Sequence, residues 1–130
     1  MARRFEYRLH VPYADIDAMG IVYYANYLVY FEMARASLLR EVGLPYGEME
    51  AAGVMLPVVE SHCEYKQSAH YDDELVVYTT CLPFKGPRLR IEYEVKRDGE
   101  LLATGYTHHV CMSPAGKVLR PTPALLGLCG

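Results

Sequence analysis

Along residues 5–11 apolar and polar side chains alternate, with Phe5, Tyr7, Leu9 and Val11 on one face and Glu6, Arg8 and His10 on the other. A period of two predicts a strand with one buried face. Pro12 closes it, and residues 13–23 read as a loop in which Gly20 can take backbone angles closed to other residues. From about Tyr24 to Val42 the period becomes helical, because Tyr24, Tyr27, Leu28, Phe31, Leu38, Leu39 and Val42 project into one sector at ~100° per residue. Asn26 is the expected cap near the start, Gly43 supplies a left-handed stop, and Pro45 forbids continuation. After a polar connection (46–53), residues 54–66, 74–83, 88–97 and 101–112 read as strands. Asp98-Gly99 between two alternating runs is a hairpin signal. Residues 113–116 form a turn, 117–120 a short edge segment, and a proline-rich tail follows.

One strand, one long helix and then about four antiparallel strands imply an α+β fold. The apolar helix sector and the apolar sheet face must cover each other, which puts the helix across the concave side of a curved antiparallel sheet of about five strands. The uncovered edges of such a sheet favour self-association. At 130 residues and 52% hydrophobic content, the chain fits a single domain spanning 1–130. A net charge of -3 excludes the basic footprint of a nucleic-acid binder. There is neither an apolar signal segment nor a run long enough for membrane insertion, and a cytoplasmic location is expected. Cys63, Cys81, Cys111 and Cys129 contain no C-x-x-C pair, and His108 and His109 point to opposite strand faces, so reduced thiols and no metal or other cofactor are expected. Of 15 Phe and Tyr residues 12 are tyrosines, and their hydroxyls suit a pocket or an interface as well as a core.

The stretch richest in chemistry is Tyr13-Ala14-Asp15-Ile16-Asp17-Ala18-Met19-Gly20-Ile21-Val22-Tyr23-Tyr24-Ala25-Asn26-Tyr27. It carries two carboxylates into a helix N-terminus, whose unsatisfied N–H groups favour a developing oxyanion. A carboxylate beside such donors can attack a carbonyl or activate water, although aspartates in loops also serve as turn and capping residues. This motif, with Phe31-Glu32-x-Ala34-Arg35 on the helix, Gly43-Leu44-Pro45, Leu56-Pro57-Val58-Val59 and Tyr71-Asp72-Asp73, resembles the 4-hydroxybenzoyl-CoA thioesterase family, which includes acyl-CoA thioesterases associated with the Tol-Pal system. The likeness covers most of the chain.

The resemblance implies a hotdog fold, assembled as a dimer or a dimer of dimers with active sites at subunit interfaces. It also implies hydrolysis of acyl-CoA or aryl-CoA thioesters. Asp17 takes the catalytic position, Asp15 a structural one, and the Tyr24 backbone N–H would polarise the thioester carbonyl. Gly20, Val22, Tyr23, Asn26 and, on the second strand, Glu60 are the expected substrate contacts. Many Tol-Pal-type relatives carry His at the Tyr24 position, a change that leaves a backbone N–H intact. Lys85, Arg88 and Arg90, around Gly86-Pro87, are candidates for the coenzyme A phosphates by charge and location. Arg35 falls inside the apolar helix sector and is expected to pair with Glu32 or Glu60. The competing functions are a hotdog acyl-thioester hydratase or dehydratase, and a non-catalytic acyl-binding subunit.

Overall fold

The computed structural model describes residues 3–129 without the side chain of Cys129, so that thiol lies outside the described residues. Five strands, β1 (Arg4–His10), β2 (Val58–Tyr65), β3 (Glu74–Cys81), β4 (Arg88–Arg97) and β5 (Glu100–Val110), form one curved sheet in the order β1-β3-β4-β5-β2. Every pairing is antiparallel. The β4–β5 hairpin turns on Asp98 (φ 49) and Gly99 (φ 79), the two left-handed positions that a type I′ turn demands. Helix α1 (Asn26–Glu41) lies against one face of the sheet, and two short helices follow, α2 (Tyr46–Ala51) and α3 (Pro123–Leu126). The α+β class and the wrapped helix expected from periodicity are both present.

The core lies between α1 and the sheet. From the helix come Tyr27, Tyr30, Phe31, Ala34, Leu38 and Leu39; from the sheet, Leu75, Val77, Leu89, Ile91, Tyr93 and Val95. Phe31 stacks on Tyr93, with centroids 4.2 Å apart and planes 8° apart. This close approach requires Gly105, where a Cβ would lie 2.4 Å from the His62 carbonyl oxygen and 2.6 Å from the Phe31 ring. The buried stripe is rotated from the expected sector. Tyr24 and Leu28 are exposed, whereas Tyr30 and Ala34 are buried, because Tyr30 can bury its ring only where its hydroxyl finds a partner, here Asp15.

Four local expectations are corrected. Ala25, not Asn26, occupies the cap of α1, and no side chain caps it; Asn26 is the first helical residue and its amide turns back to the loop. The polar connection contains α2, which begins after Pro45 and is anchored by buried Met49. β2 starts only at Val58, since Pro57 has no N–H for the ladder, and residues 54–57 keep one bridge, Met55 to Met112. Residues 117–120 contribute only the bridge between Val118 and Met112, and the tail folds into α3, capped by Thr122 with Pro123 at its first position.

A polar seam crosses this apolar core. Arg35 Nη1 lies 3.2 Å from the Tyr93 hydroxyl, Tyr93 2.7 Å from Thr107 Oγ1, Thr107 2.8 Å from His109 Nε2, and His109 Nδ1 2.9 Å from the Leu56 carbonyl oxygen. Its hydrogens have one consistent arrangement. The Leu56 carbonyl can only accept, so Nδ1 carries the imidazole proton and Nε2 accepts from Thr107; Tyr93 then donates to Thr107, and Arg35 donates to Tyr93. Burial, reinforced by the Arg35 charge and by His108, holds the His109 pKa down at about 4. The expected ion pair of Arg35 is absent: among the described residues no carboxylate lies within 4.0 Å of it. Glu60 is on the opposite face of the sheet, accepting from the Tyr106 hydroxyl at 2.8 Å.

Candidate active site

The loop before α1 is a small closed structure. Ile16 and Val22 form an antiparallel bridge, the Asp17 N–H donates to the Ile21 carbonyl at 2.9 Å, and the Gly20 N–H donates to the Asp17 carbonyl at 3.0 Å. Gly20 has φ 79, so any side chain there would strain the turn. Asp17 Oδ1 accepts from the Met19 N–H at 2.9 Å, while Oδ2 has no donor among the described residues. One carboxylate oxygen is fixed and the other is free to act.

Asp15 is tied into the structure through one carboxylate oxygen and its carbonyl. Its Oδ2 accepts from the Tyr30 hydroxyl at 2.7 Å, and its carbonyl accepts from the Tyr23 N–H at 2.9 Å and from Asn26 Nδ2 at 3.1 Å. Burial, followed by the bond to Asp15, pushes the Tyr30 phenol well above its ordinary pKa, which keeps it a donor. These bonds tie the loop to the first turn of α1. At that turn the N–H groups of Asn26, Tyr27 and Leu28 close on carbonyls three residues back, but the N–H groups of Tyr24 and Ala25 have no acceptor among the described residues. They are free donors at the positive end of a helix of 16 residues.

Asp17 and Tyr24 share the wall of a cavity of about 250 Å³ with Val22, Tyr27, Tyr65 and Lys66. Tyr65 comes from the end of β2 and donates its hydroxyl to the Tyr24 carbonyl at 3.0 Å, its ring edge-on to those of Tyr24 and Tyr27. The opposite rim is the connection between β2 and β3. Arg97 holds it through the Ser68 carbonyl (3.1 Å) and Asp73 (2.7 Å), and the Val22 N–H donates to the Ala69 carbonyl at 2.9 Å.

Of the residues singled out in the sequence, Asp17, Val22 and Tyr24 therefore meet, with Gly20 shaping their loop and the Tyr23 ring 4.6 Å from that of Tyr24. Asn26 spends its amide on Asp15. Glu60, Lys85, Arg88 and Arg90 are not brought to this cavity within one chain: Glu60 and Arg90 lie on the outer sheet face, where Arg90 bonds Glu92 and stacks 3.9 Å over Tyr106, and Lys85 and Arg88 pair across the turn before β4. No local pattern in the sequence points to Tyr65 and Lys66, whose proximity to Asp17 comes from the β2–β5 pairing.

A long helix held against a five-stranded antiparallel sheet in this order, with a carboxylate loop feeding the helix start, is the hotdog architecture of thioesterases. Residues 11–126 match the model of the Thioesterase-like superfamily, and the chain belongs to that family. It is 38% identical over 105 residues to YneP of Bacillus subtilis (strain 168), provisionally named an acyl-CoA thioesterase, covering 80% of this chain and 76% of that protein. It is 30% identical over 120 residues to the acyl-CoA thioester hydrolase YbgC of Escherichia coli O6:H1 (strain CFT073), covering 92% and 90%. The solved structure of Slr0204, a 1,4-dihydroxy-2-naphthoyl-CoA thioesterase from Synechocystis, superposes with a TM-score of 0.91 at 28% identity over 97% of this chain and 95% of that one.

Proposed function

We propose that the protein hydrolyses acyl-CoA or aryl-CoA thioesters with Asp17 as the catalytic carboxylate and the Tyr24 N–H as donor to the thioester carbonyl. The observation that carries this reading is that Asp17, with one carboxylate oxygen unbonded among the described residues, and Tyr24, with an unpaired helix-start N–H, line one cavity. A thioester carbonyl directed at Tyr24 presents its carbon to Asp17. Asp17 Oδ2 then takes a proton from water as the water oxygen bonds to that carbon, or bonds to it directly to give a mixed anhydride that water later opens. In either route negative charge grows on the carbonyl oxygen, where the N–H and the helix end stabilise it. Collapse of the tetrahedral species breaks the C–S bond, and the thiolate leaves without strong acid assistance.

The active unit in this reading is a second copy joined through β2. That strand pairs on one side only and exposes Val58, Val59 and Tyr65, and α1 exposes Leu28, Val29 and Met33. The other sheet edge, β1, carries Arg4, Glu6, Arg8 and His10 and is protected by charge. Pairing through β2 extends the sheet and supplies outer-face residues such as Glu60, or the basic set Lys85, Arg88 and Arg90, from a neighbouring surface to hold the coenzyme A portion.

A panel of acyl-CoA and aryl-CoA thioesters, followed by thiol release, tests the reaction. Release of coenzyme A from at least one of them supports it. Hydration of crotonyl-CoA with the thioester intact contradicts it, as does binding without release across the panel.

A further inference from the structure

A second cavity, of about 360 Å³, opens between α1 and the strand pair β4–β5, walled by Leu39, Leu56, Leu89, Ile91 and Leu128. Arg35 enters it from α1 nine residues beyond the helix start, about 14 Å along the axis at ~1.5 Å per residue, so it is separate from the Asp17 cavity of the same chain. A guanidinium has five N–H donors, and here one protein partner, the Tyr93 hydroxyl, is present. Among the described residues no fully buried side-chain polar atom lacks a partner, so the Arg35 nitrogens without one keep some accessibility, and the half-buried side chain lines the cavity. The other polar groups cannot neutralise it. His109 has both ring nitrogens engaged in the seam, and Glu32 stands exposed at the rim, beyond 4.0 Å from the guanidinium.

We propose that this cavity binds a monocarboxylic acid with an apolar tail, its carboxylate held by the fork of Arg35 and its tail between the leucine and isoleucine walls. A half-buried cation in apolar surroundings lacks the counter-charge that would offset its desolvation, and a carboxylate matches the guanidinium in shape and charge. The volume suits a small organic acid. Such an acid is the product class of the hydrolysis proposed above, so the site rests on that reading for its physiological role but not for its existence. Pro57 and Val58, at the start of the exposed β2 edge, also line the cavity. Occupancy is thus placed to report to the self-association edge.

Isothermal titration of the full-length protein with octanoate, with octanol as the neutral probe, tests the site. Octanoate is expected to bind at least tenfold more tightly than octanol, Arg35→Gln to bring octanoate down to the octanol level, and Glu32→Gln to bind octanoate at least as tightly as the parent. Should Arg35→Gln fail to fold, the Arg35 Nε–H resonance of the parent protein, shifting on octanoate addition and not on octanol addition, decides the matter. Equal affinity for the two probes, or octanoate binding that survives Arg35→Gln, overturns the proposal. So does a loss of self-association in Arg35→Gln with no octanoate binding to the parent, since a carboxylate of the second copy would then be the partner. Octanoate binding is read without turnover: binding with no hydrolysis of any thioester refutes only the proposed reaction, and hydrolysis with no binding refutes only this site.

Discussion

Acidification should destabilise the fold through His109 before the carboxylates begin to protonate. His109 is 2% exposed, and its neutral ring accepts from Thr107 at Nε2 and donates to the Leu56 carbonyl at Nδ1. A proton added at Nε2 puts a buried cation near the Arg35 charge and takes from the Thr107 hydroxyl hydrogen its acceptor in the seam. In the unfolded chain the imidazole titrates at its ordinary 6.5, and in the fold at about 4. Because the folded value is the lower one, the unfolded chain binds the extra proton first, and stability is lost as pH falls from 6.5 towards 4 and is constant above that window. A difference of 2.5 pKa units corresponds to about 3 kcal/mol, a large share of the ~5–15 kcal/mol that a domain commands. Urea unfolding at fixed protein concentration, between pH 7.5 and 4, measures it for the parent and for His109→Gln. The parent should lose up to about 1.4 kcal/mol per pH unit more than the variant within the window. Parallel pH profiles for the two proteins would mean that His109 does not couple folding to pH in this window.

Other consequences follow from single contacts. Gly105→Ala should cost more than the ~1–3 kcal/mol usual for overpacking, because the added methyl meets backbone at the His62 carbonyl as well as the Phe31 ring; thermal unfolding checks it. Tyr30→Phe leaves the Asp15 carboxylate without its 2.7 Å donor, and a loss of about 1–3 kcal/mol in chemical denaturation is expected. Tyr65→Phe removes one of the two donors to the Tyr24 carbonyl and should lower kcat more than it changes KM, since the helix-start donors serve the transition state; steady-state kinetics on a hydrolysed thioester separates the two.

The strands were legible because their signal is local. Leu89, Ile91, Tyr93 and Val95 alternate with charged residues in β4, and Asp98-Gly99 carries the backbone angles of its turn in its own residue types. The loop before α1 is legible for a different reason: motif positions from Tyr13 to Tyr27 are contiguous, so Asp17, Gly20, Val22 and Tyr24 can be named together. The orientation of α1 was not, because several residues at the edge of the stripe are apolar, and the choice between Leu28 and Tyr30 is made by Asp15 in a distant turn. Tyr65 reaches Tyr24 across 41 residues through the sheet, a relation that no periodicity encodes. The helical pattern makes Arg35 half of an ion pair, the usual state of a cation within an apolar sector, whereas the register of β2 places Glu60 on the other face of the sheet.

Single-turnover cleavage of a thioester by the parent and by Asp17→Asn asks whether the Asp17 carboxylate performs the hydrolysis. The substitution keeps the side-chain oxygen that the Met19 N–H requires, so the loop should fold as before, with an unchanged melting temperature. A fall in the rate of thiol release of about 10²–10⁴-fold, with thioester binding retained, is the predicted result. Release at the parental rate by a correctly folded Asp17→Asn protein would mean that another group carries the reaction.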